Sequence, residues 1–386
     1  MAVRHLLIYT DGMSRVRWRE IAEDLLAKID KGEYQVGSRL PTSSQLAEQR
    51  GVSLVTAHKV LEELQRVGAV TRAGRRGTTV VQREKRKTGR IALIVDQVDF
   101  AQNFPRPELL AAIHGGLGTD YNLLICDSKA SVHREIELLN RMAEEADGIL
   151  CWPTGDDAAT PTIAHLVANG TPLVLLDRIP NGLQADVVLT DSASATRQAA
   201  EFLIQRGHRR IGLLTFDKPK VSTVLERCGT FETIMVEYGI ASPDLVRRLP
   251  ASLEVEDRAH FSQVFDDALF ALLHGPSPAT AILCVQDLLG VAVLKYADNA
   301  DLKIPEDLEI VTFNDWPPHW LGRPWQAHRI AVQPSDMGKA AIGRLLAQIN
   351  GQAGELGPHH IPTVFTPADS LVGSAYDLRL DRPLEV

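Results

Sequence analysis

The stretch Leu40-Pro41-Thr42-Ser43-Ser44-Gln45-Leu46-Ala47, continued by Gly51-Val52-Ser53-Leu54-Val55-Thr56 and running to Gly68, decides the organisation of this 386-residue chain. Thr42 and Gln45 have the T-x-x-Q spacing of a capping box, in which each side chain satisfies the other's orphan backbone N–H, so a short helix opens there. Gly51 supplies the left-handed residue that closes it. Ser53 then caps another helix reaching Val67, ended by Gly68, with Ala57, Val60, Leu61, Leu64 and Val67 on its buried stripe. Two helices joined by so tight a turn form a helix-turn-helix, whose second member can lie in the major groove of DNA.

Upstream, Ile21, Ala22, Leu25, Leu26 and Ile29 fall at helical spacing and predict an amphipathic helix over 17–31, ended by Gly32. Downstream, Ala69 to Val81 reads as strand, basic turn, strand: a wing with Arg75 and Arg76 at its tip and Gly77 beside them. A bland alternative is a three-helix cap on a larger domain with solvated arginines. Charge argues against it. Residues 1–90 hold 18 Lys and Arg against 10 Asp and Glu, a net of +8, while the rest of the chain carries −16. A basic head is what phosphate neutralisation needs, and an acidic body avoids clinging to the DNA.

This segment, roughly Arg17 to Val81, resembles the GntR-type winged helix-turn-helix. The resemblance rests on G-x-x-L-P-T-x-x-x-L-A, G-V-S-x-x-T, an L-x-x-L-x-x-x-G helix end and the R-G-T wing. It implies an operator of double-stranded DNA. Three arginines usual in that family are replaced here by Ser44, Leu54 and His58, and a wing glycine by Arg75. Expected DNA contacts are therefore Ser53, Leu54, Val55, Thr56, His58 and Lys59 on the helix, with Arg75, Arg76 and Gly77 on the wing. Lys59 and the wing arginines would partly replace the lost charge, and Leu54 or Val55 would touch thymine methyls.

Residues 82–90 include Arg83, Lys85, Arg86, Lys87 and Arg90 without an apolar stripe, and read as a hydrated linker between a head of 1–81 and a body of 91–376. In the body, apolar runs at 91–95, 122–126, 148–151, 172–176, 187–190, 211–215, 281–285 and 309–313 alternate with helical stretches such as 108–117, 133–145, 193–205, 231–238 and 288–297. This alternation predicts α/β architecture with doubly wound parallel sheets, in two subdomains with a ligand cleft at the strand carboxyl ends.

Enzyme motifs do not turn up: no G-x-G-x-x-G after a strand, no Walker lysine loop, no G-x-S-x-G and no H-E-x-x-H. His359-His360, beside Gly357-Pro358, reads as a surface loop rather than a metal site. The expectation is a binding protein without metal or cofactor; aspartates at strand ends leave acid–base catalysis as the competing reading. Cys126, Cys151, Cys228 and Cys284 are far apart, as in reduced cytoplasmic proteins. Met1 to Tyr9 is too weakly apolar for a signal peptide, and no eighteen-residue apolar run predicts a membrane span.

The order of motifs from Lys87 to about Ser374 resembles the periplasmic-binding-protein-like effector domain of LacI/GalR regulators: 90–95, 146–150, Thr171 to Arg178, Gly207 to Gly212, Ile304 to Asp315 and Val332-Gln333-Pro334. A GntR-type head on such a body resembles the arabinose-repressor architecture. The resemblance implies a homodimeric repressor with a small carbohydrate-like effector. It places Asp177 on an acidic ligand contact, Arg227 on the arginine of R-x-x-G-F (with Thr230 for glycine), and Asp287 on the aspartate of an N-D pair (with Gln286 for asparagine). Phe100, Phe104, Trp152 and Trp316 would offer faces for a ring, and Asp96 ends the first strand. An ion pair between Asp177 and Arg178, and a purine-type ligand, are the competing readings. The expected subdomains are 91–190 with 317–331, and 191–316 with 332–376.

Overall fold

The computed structural model describes residues 11–30, 32–73, 77–81, 87–98, 105–251, 258–313, 326–352 and 354–368. The chain divides into two compact units, 1–86 and 87–386.

The first unit contains α1 (Asp11–Asp30), α2 (Ser43–Arg50), α3 (Leu54–Arg66), β1 (Val70–Arg72) and β2 (Thr78–Val80). Its helices meet over a core that includes Ile21, Leu25, Leu46, Val60, Leu61 and Leu64. The capping box forms: Thr42 N–H donates to Gln45 Oε1 at 2.9 Å, and Gln45 N–H to Thr42 Oγ1 at 3.3 Å. Gly51 closes α2 at φ 58°, in the left-handed region. β1 and β2 pair antiparallel, Val70 opposite Val80, to make the wing. α1 starts six residues earlier than expected, because its apolar stripe begins only at Ile21 and periodicity is blind to the preceding turns.

The second unit runs β3 (Arg90–Val95), α4 (Pro107–Leu117), β4 (Asn122–Asp127), α5 (Val132–Glu145), β5 (Gly148–Cys151), α6 (Thr160–Ala168), β6 (Leu173–Leu176), β7 (Asp186–Thr190), α7 (Ser192–Gln205), β8 (Ile211–Asp217), α8 (Ser222–Glu237), β9 (Val246–Pro250), α9 (Arg258–Leu273), β10 (Ala281–Cys284), α10 (Asp287–Asn299), β11 (Glu309–Phe313), β12 (His328–Ala331), α11 (Pro334–Ile349), β13 (Pro358–Ile361) and β14 (Val364–Thr366). Two six-stranded sheets result. The first has the order β13-β7-β6-β5-β3-β4, all parallel. The second has the order β14-β12-β11-β10-β8-β9, parallel except for β14. The inner strands such as β3, β5, β6 and β10 are apolar at nearly every position because both of their faces are covered by helices.

Several sequence expectations need correction. β12, within the 317–331 segment assigned to the first subdomain, pairs with β11 in the second sheet. α11, assigned to the second, packs Met337, Ala341, Ile342 and Leu345 on the first sheet's core, and β13 completes that sheet. The chain thus passes between lobes after β7, after β12 and again after β13. A strand's apolar run does not say which sheet it joins, so these passages are invisible in sequence. The linker does not stay hydrated to residue 90: the N–H groups of Thr88 and Gly89 donate to the Asp147 carboxylate at 2.7 and 2.8 Å. His359 and His360 lie on the edge strand β13, exposed, not in a loop. α8 starts at Ser222, nine residues before the expected start.

α4 and α11 pack closely because each presents glycine at the crossing. A Cβ on Gly116 would lie 2.5 Å from Ile342 Cγ2, and one on Gly338 would lie 2.8 Å from the Leu109 carbonyl oxygen. This contact holds the start of α4 and the start of α11 side by side at the cleft.

Candidate functional site

In the first unit, Ser53 accepts a hydrogen bond from Thr56 N–H at 3.1 Å, which fixes the start of α3. Leu54 and Val55, in the first turn, are 56% and 68% exposed. Apolar side chains left in water on the first turn of a second helix are what a major groove rich in thymine methyls would accept. Ser53, His58 and Lys59 are exposed as well, Thr56 half-buried. His58 is engaged on both nitrogens: Nδ1 lies 3.2 Å from Glu62 Oε1 and Nε2 lies 3.2 Å from Arg72 Nη2. Arg72, on β1, therefore stands beside α3, a cation that the sequence reading passed over. Gly77 holds the wing turn at φ 87°. Arg75 and Arg76 lie outside the described residues.

In the second unit, a cavity of about 210 Å³ opens between the two lobes, at the carboxyl ends of the strands. Trp152 follows β5, Asp177 follows β6, Thr190 ends β7, Lys218 follows β8 and Gln286 follows β10; all line it. Asp177 sits at φ 60°, a conformation that aspartate tolerates better than bulkier residues. Its N–H donates to the Val188 carbonyl at 2.8 Å, and its Oδ1 accepts from Thr190 Oγ1 at 3.3 Å. Arg227 comes from α8 of the opposite lobe. Its Nε donates to Ser192 Oγ at 3.1 Å, its Nη1 to the Val285 carbonyl at 2.9 Å, and its guanidinium lies 4.1 Å from the Phe313 ring centre. Burial pushes the Arg227 guanidinium down from its ordinary value, against the pull of the Asp177 carboxylate.

Of the residues expected at the ligand, Asp177, Arg227 and Trp152 are brought together in the lining. Two are not. Asp96 accepts from Arg178 Nη1 at 2.7 Å and stands behind the wall. This bears on the competing reading of an Asp177–Arg178 pair, since the Arg178 side chain reaches Asp96 and the Pro153 carbonyl. Asp287 turns its Oδ1 to the N–H of Leu288 at 2.8 Å at the start of α10, outside the lining. Phe100, Phe104 and Trp316 lie outside the described residues. Arg106, Thr190, Lys218 and Gln333 also line the cavity, and the sequence reading did not single them out. The signal available for Thr190 and Lys218 was their place just at or past the carboxyl end of a strand.

Comparison with known proteins accords with this geometry. Residues 18–80 match the model of bacterial regulatory proteins, gntR family, and residues 200–371 that of the periplasmic binding protein-like domain. The HTH-type transcriptional regulator MalR of Streptomyces coelicolor is 25% identical over 86% of this chain and 95% of its own length. The HTH-type transcriptional repressor CytR of Escherichia coli is 25% identical over 82% of this chain and 87% of its own. A match to EndR of Paenibacillus polymyxa, 28% identical, spans 50% of this chain and 54% of that protein. Among solved structures, a transcriptional regulator CelR–cellobiose complex superposes with a TM-score of 0.61 at 20% identity, covering 85% of this chain and 98% of that one. The transcription regulator GntR of Chromobacterium violaceum gives 0.59 at 21%, covering 72% and 99%. Fold and matches define a transcriptional regulator. The chain joins a gntR-type DNA-binding head to a periplasmic-binding-protein-like body. Among the described residues no helix is long and apolar enough to cross a membrane.

Proposed function

We propose that this chain is a cytoplasmic, homodimeric repressor whose operator affinity is set by a carbohydrate-like effector in the interlobe cavity. Ser53, Leu54, Val55, Thr56, His58 and Lys59 would read or approach the major groove, and the wing with Arg72, Arg75, Arg76 and Gly77 would meet phosphate. The observation that carries the effector reading is the pairing of Asp177 and Arg227 from opposite lobes across one cavity, with Trp152 beside them. A carboxylate accepts from neighbouring hydroxyls, a guanidinium donates a fork of hydrogen bonds, and an indole offers an apolar face to a ring. The relatives' names support repression, and the cellobiose bound to CelR supports a sugar.

Ligand held by both lobes favours one interlobe angle. In a homodimer that angle sets the spacing of two heads, which must match half-sites about 34–36 Å apart or a multiple of it. Calorimetry with pentoses, hexoses and nucleobases tests the reading. Stoichiometric sugar binding without turnover is expected. Turnover would make the body an enzyme, and binding of nucleobases alone would make the regulator a purine sensor.

A further inference from the structure

A buried acid stands behind the cleft wall and takes no part in the contacts described so far. Glu135, in the first turn of α5, is 0% exposed. One carboxylate oxygen, Oε2, accepts from Thr154 N–H at 2.9 Å. The other, Oε1, is buried and has no hydrogen-bond partner among the described residues. A carboxylate buried with one oxygen bare is costly, so the group calls for an explanation.

What Glu135 grips is the stretch 153–156, which leaves the sheet after Trp152 and reaches the opposite lobe. Trp152 N–H still donates to the Ile94 carbonyl at 2.8 Å, and its side chain lines the cavity. Thr154 is then held from within its own lobe. Glu135 takes its N–H, and Arg178 Nη1 reaches its carbonyl at 3.4 Å and that of Pro153 at 2.8 Å while paired with Asp96. Gly155 follows at φ 88°, and a Cβ on it would lie 3.1 Å from Val221 Cγ2. Asp156 lies 3.4 Å from Lys220 Nζ. Lys220 and Val221 directly precede α8, the helix that carries Arg227. The gripped segment thus joins a cavity residue to contacts with the second lobe.

Charged and titratable groups face Glu135 from three elements: Asp96 at the end of β3, Cys151 on β5 and Arg178 after β6. α6 and the turn before it face the same core with the apolar Ala159, Ile163 and Leu166, while Asp157 and His165 are exposed. Burial pushes the Glu135 carboxyl up from its ordinary value, and hydrogen bonding to Thr154 pulls it only part of the way back. Ionised, Glu135 holds Thr154 by a charge-assisted hydrogen bond; protonated, it holds it by a neutral bond of roughly half the strength.

We infer that Glu135 is a positioning residue of the effector cleft: its carboxylate holds 153–156 where Trp152 lines the cavity and Gly155 and Asp156 meet the other lobe, and the cleft wall tightens as that carboxylate ionises. This rests on the cleft being the effector site, and deepens that reading by naming what regulates the wall.

The test uses the full chain and needs no ligand. Tryptophan emission is titrated with pH, and the same titration of Trp152→Phe is subtracted to leave the Trp152 signal. One step is expected, centred above the ordinary glutamate value of 4.5. Glu135→Gln keeps an oxygen for the Thr154 N–H but cannot ionise; it is expected to lose the step and to hold the acid-side emission throughout. Asp177→Asn, in the cavity lining, is expected to keep the step. Glu135→Leu removes the acceptor and is expected to expose Trp152 to acrylamide quenching more than either; where that variant does not fold, Glu135→Gln decides alone. No step, a step that Glu135→Gln retains, or a step that Asp177→Asn abolishes overturns the inference. Equal quenching in the wild type and a folded Glu135→Leu also overturns it. None of these outcomes involves a sugar, so failure of the effector reading shows separately, as absence of sugar binding by calorimetry.

Discussion

Arg178 donates to the Asp96 carboxylate at 2.7 Å, bypassing its chain neighbour Asp177. The Asp177 carboxylate is thereby left in the cavity lining, with Thr190 as its hydroxyl donor at 3.3 Å. Asp177→Asn is expected to weaken the cleft ligand about tenfold, the loss of one charged hydrogen bond, with little change in melting temperature, since asparagine also accepts a φ near 60°. Asp96→Asn should do the reverse, lowering stability more than it changes direct ligand contacts. Calorimetry beside thermal melts separates the two.

The buried Glu309 carboxylate joins two histidines. His328 Nδ1 accepts from Ala368 N–H at 2.8 Å, so the ring proton sits on Nε2 and is donated to Glu309 Oε1 at 2.7 Å; His208 Nε2 contacts Oε2 at 2.5 Å. Burial pushes the Glu309 carboxyl up, but the hydrogen bonds from His208 and His328 outweigh it and hold it below its ordinary value. The sign follows: a depressed folded value stabilises fully above the unfolded value of about 4.5, and that share is lost as pH falls through the folded one. Glu309→Gln should cost about 3 kcal/mol at neutral pH and flatten the acid limb of the stability curve. Parallel acid limbs for the two proteins would contradict it.

Among the described residues, two polar contacts cross between the lobes beside the cavity. Ile179 N–H donates to Ser222 Oγ at 3.1 Å, and Lys220 Nζ lies 3.4 Å from Asp156 Oδ1. The ion pair is exposed and worth under about 1 kcal/mol; the hydrogen bond is worth about 1 kcal/mol. Ser222→Ala is expected to open the lobes and weaken the cleft ligand about fivefold, Lys220→Ala less. Small-angle scattering with and without ligand reads the opening, and an unchanged profile in Ser222→Ala would count against the clasp.

On the head, Arg72→Ala should lower the salt dependence of operator binding by about one counterion, and Arg75→Ala/Arg76→Ala by about two. Val55→Ala should instead relax preference at one base pair by about 1 kcal/mol, with the salt slope unchanged. Binding titrations across a salt series distinguish phosphate contacts from base contacts directly.

The head was legible because its punctuation is local. Thr42, Gln45, Gly51 and Ser53 act within three or four residues of where they stand, and each does what its spacing predicts. The body's strands were legible as apolar runs, and 148–151 and 309–313 match to the residue. Which sheet β12 and β13 join depends on pairing that no local pattern records, and β13 pairs with a strand more than a hundred residues back. The same holds in the site. Asp177 and Arg227 were found through motif, whereas Lys218 and Arg106 face the cavity only because two lobes meet there. Asp96 lies outside the lining, engaged by Arg178 from 82 positions away, a partnership no local pattern records.

The decisive measurement is operator affinity with and without a saturated cleft, using DNA recovered from a random pool by the purified chain and the tightest ligand of the sugar panel. Saturation is expected to shift the operator Kd by about fivefold or more, and operator to shift the ligand Kd by the same factor, as linkage requires. An operator Kd that a filled cleft leaves unmoved at every salt concentration would contradict the coupling.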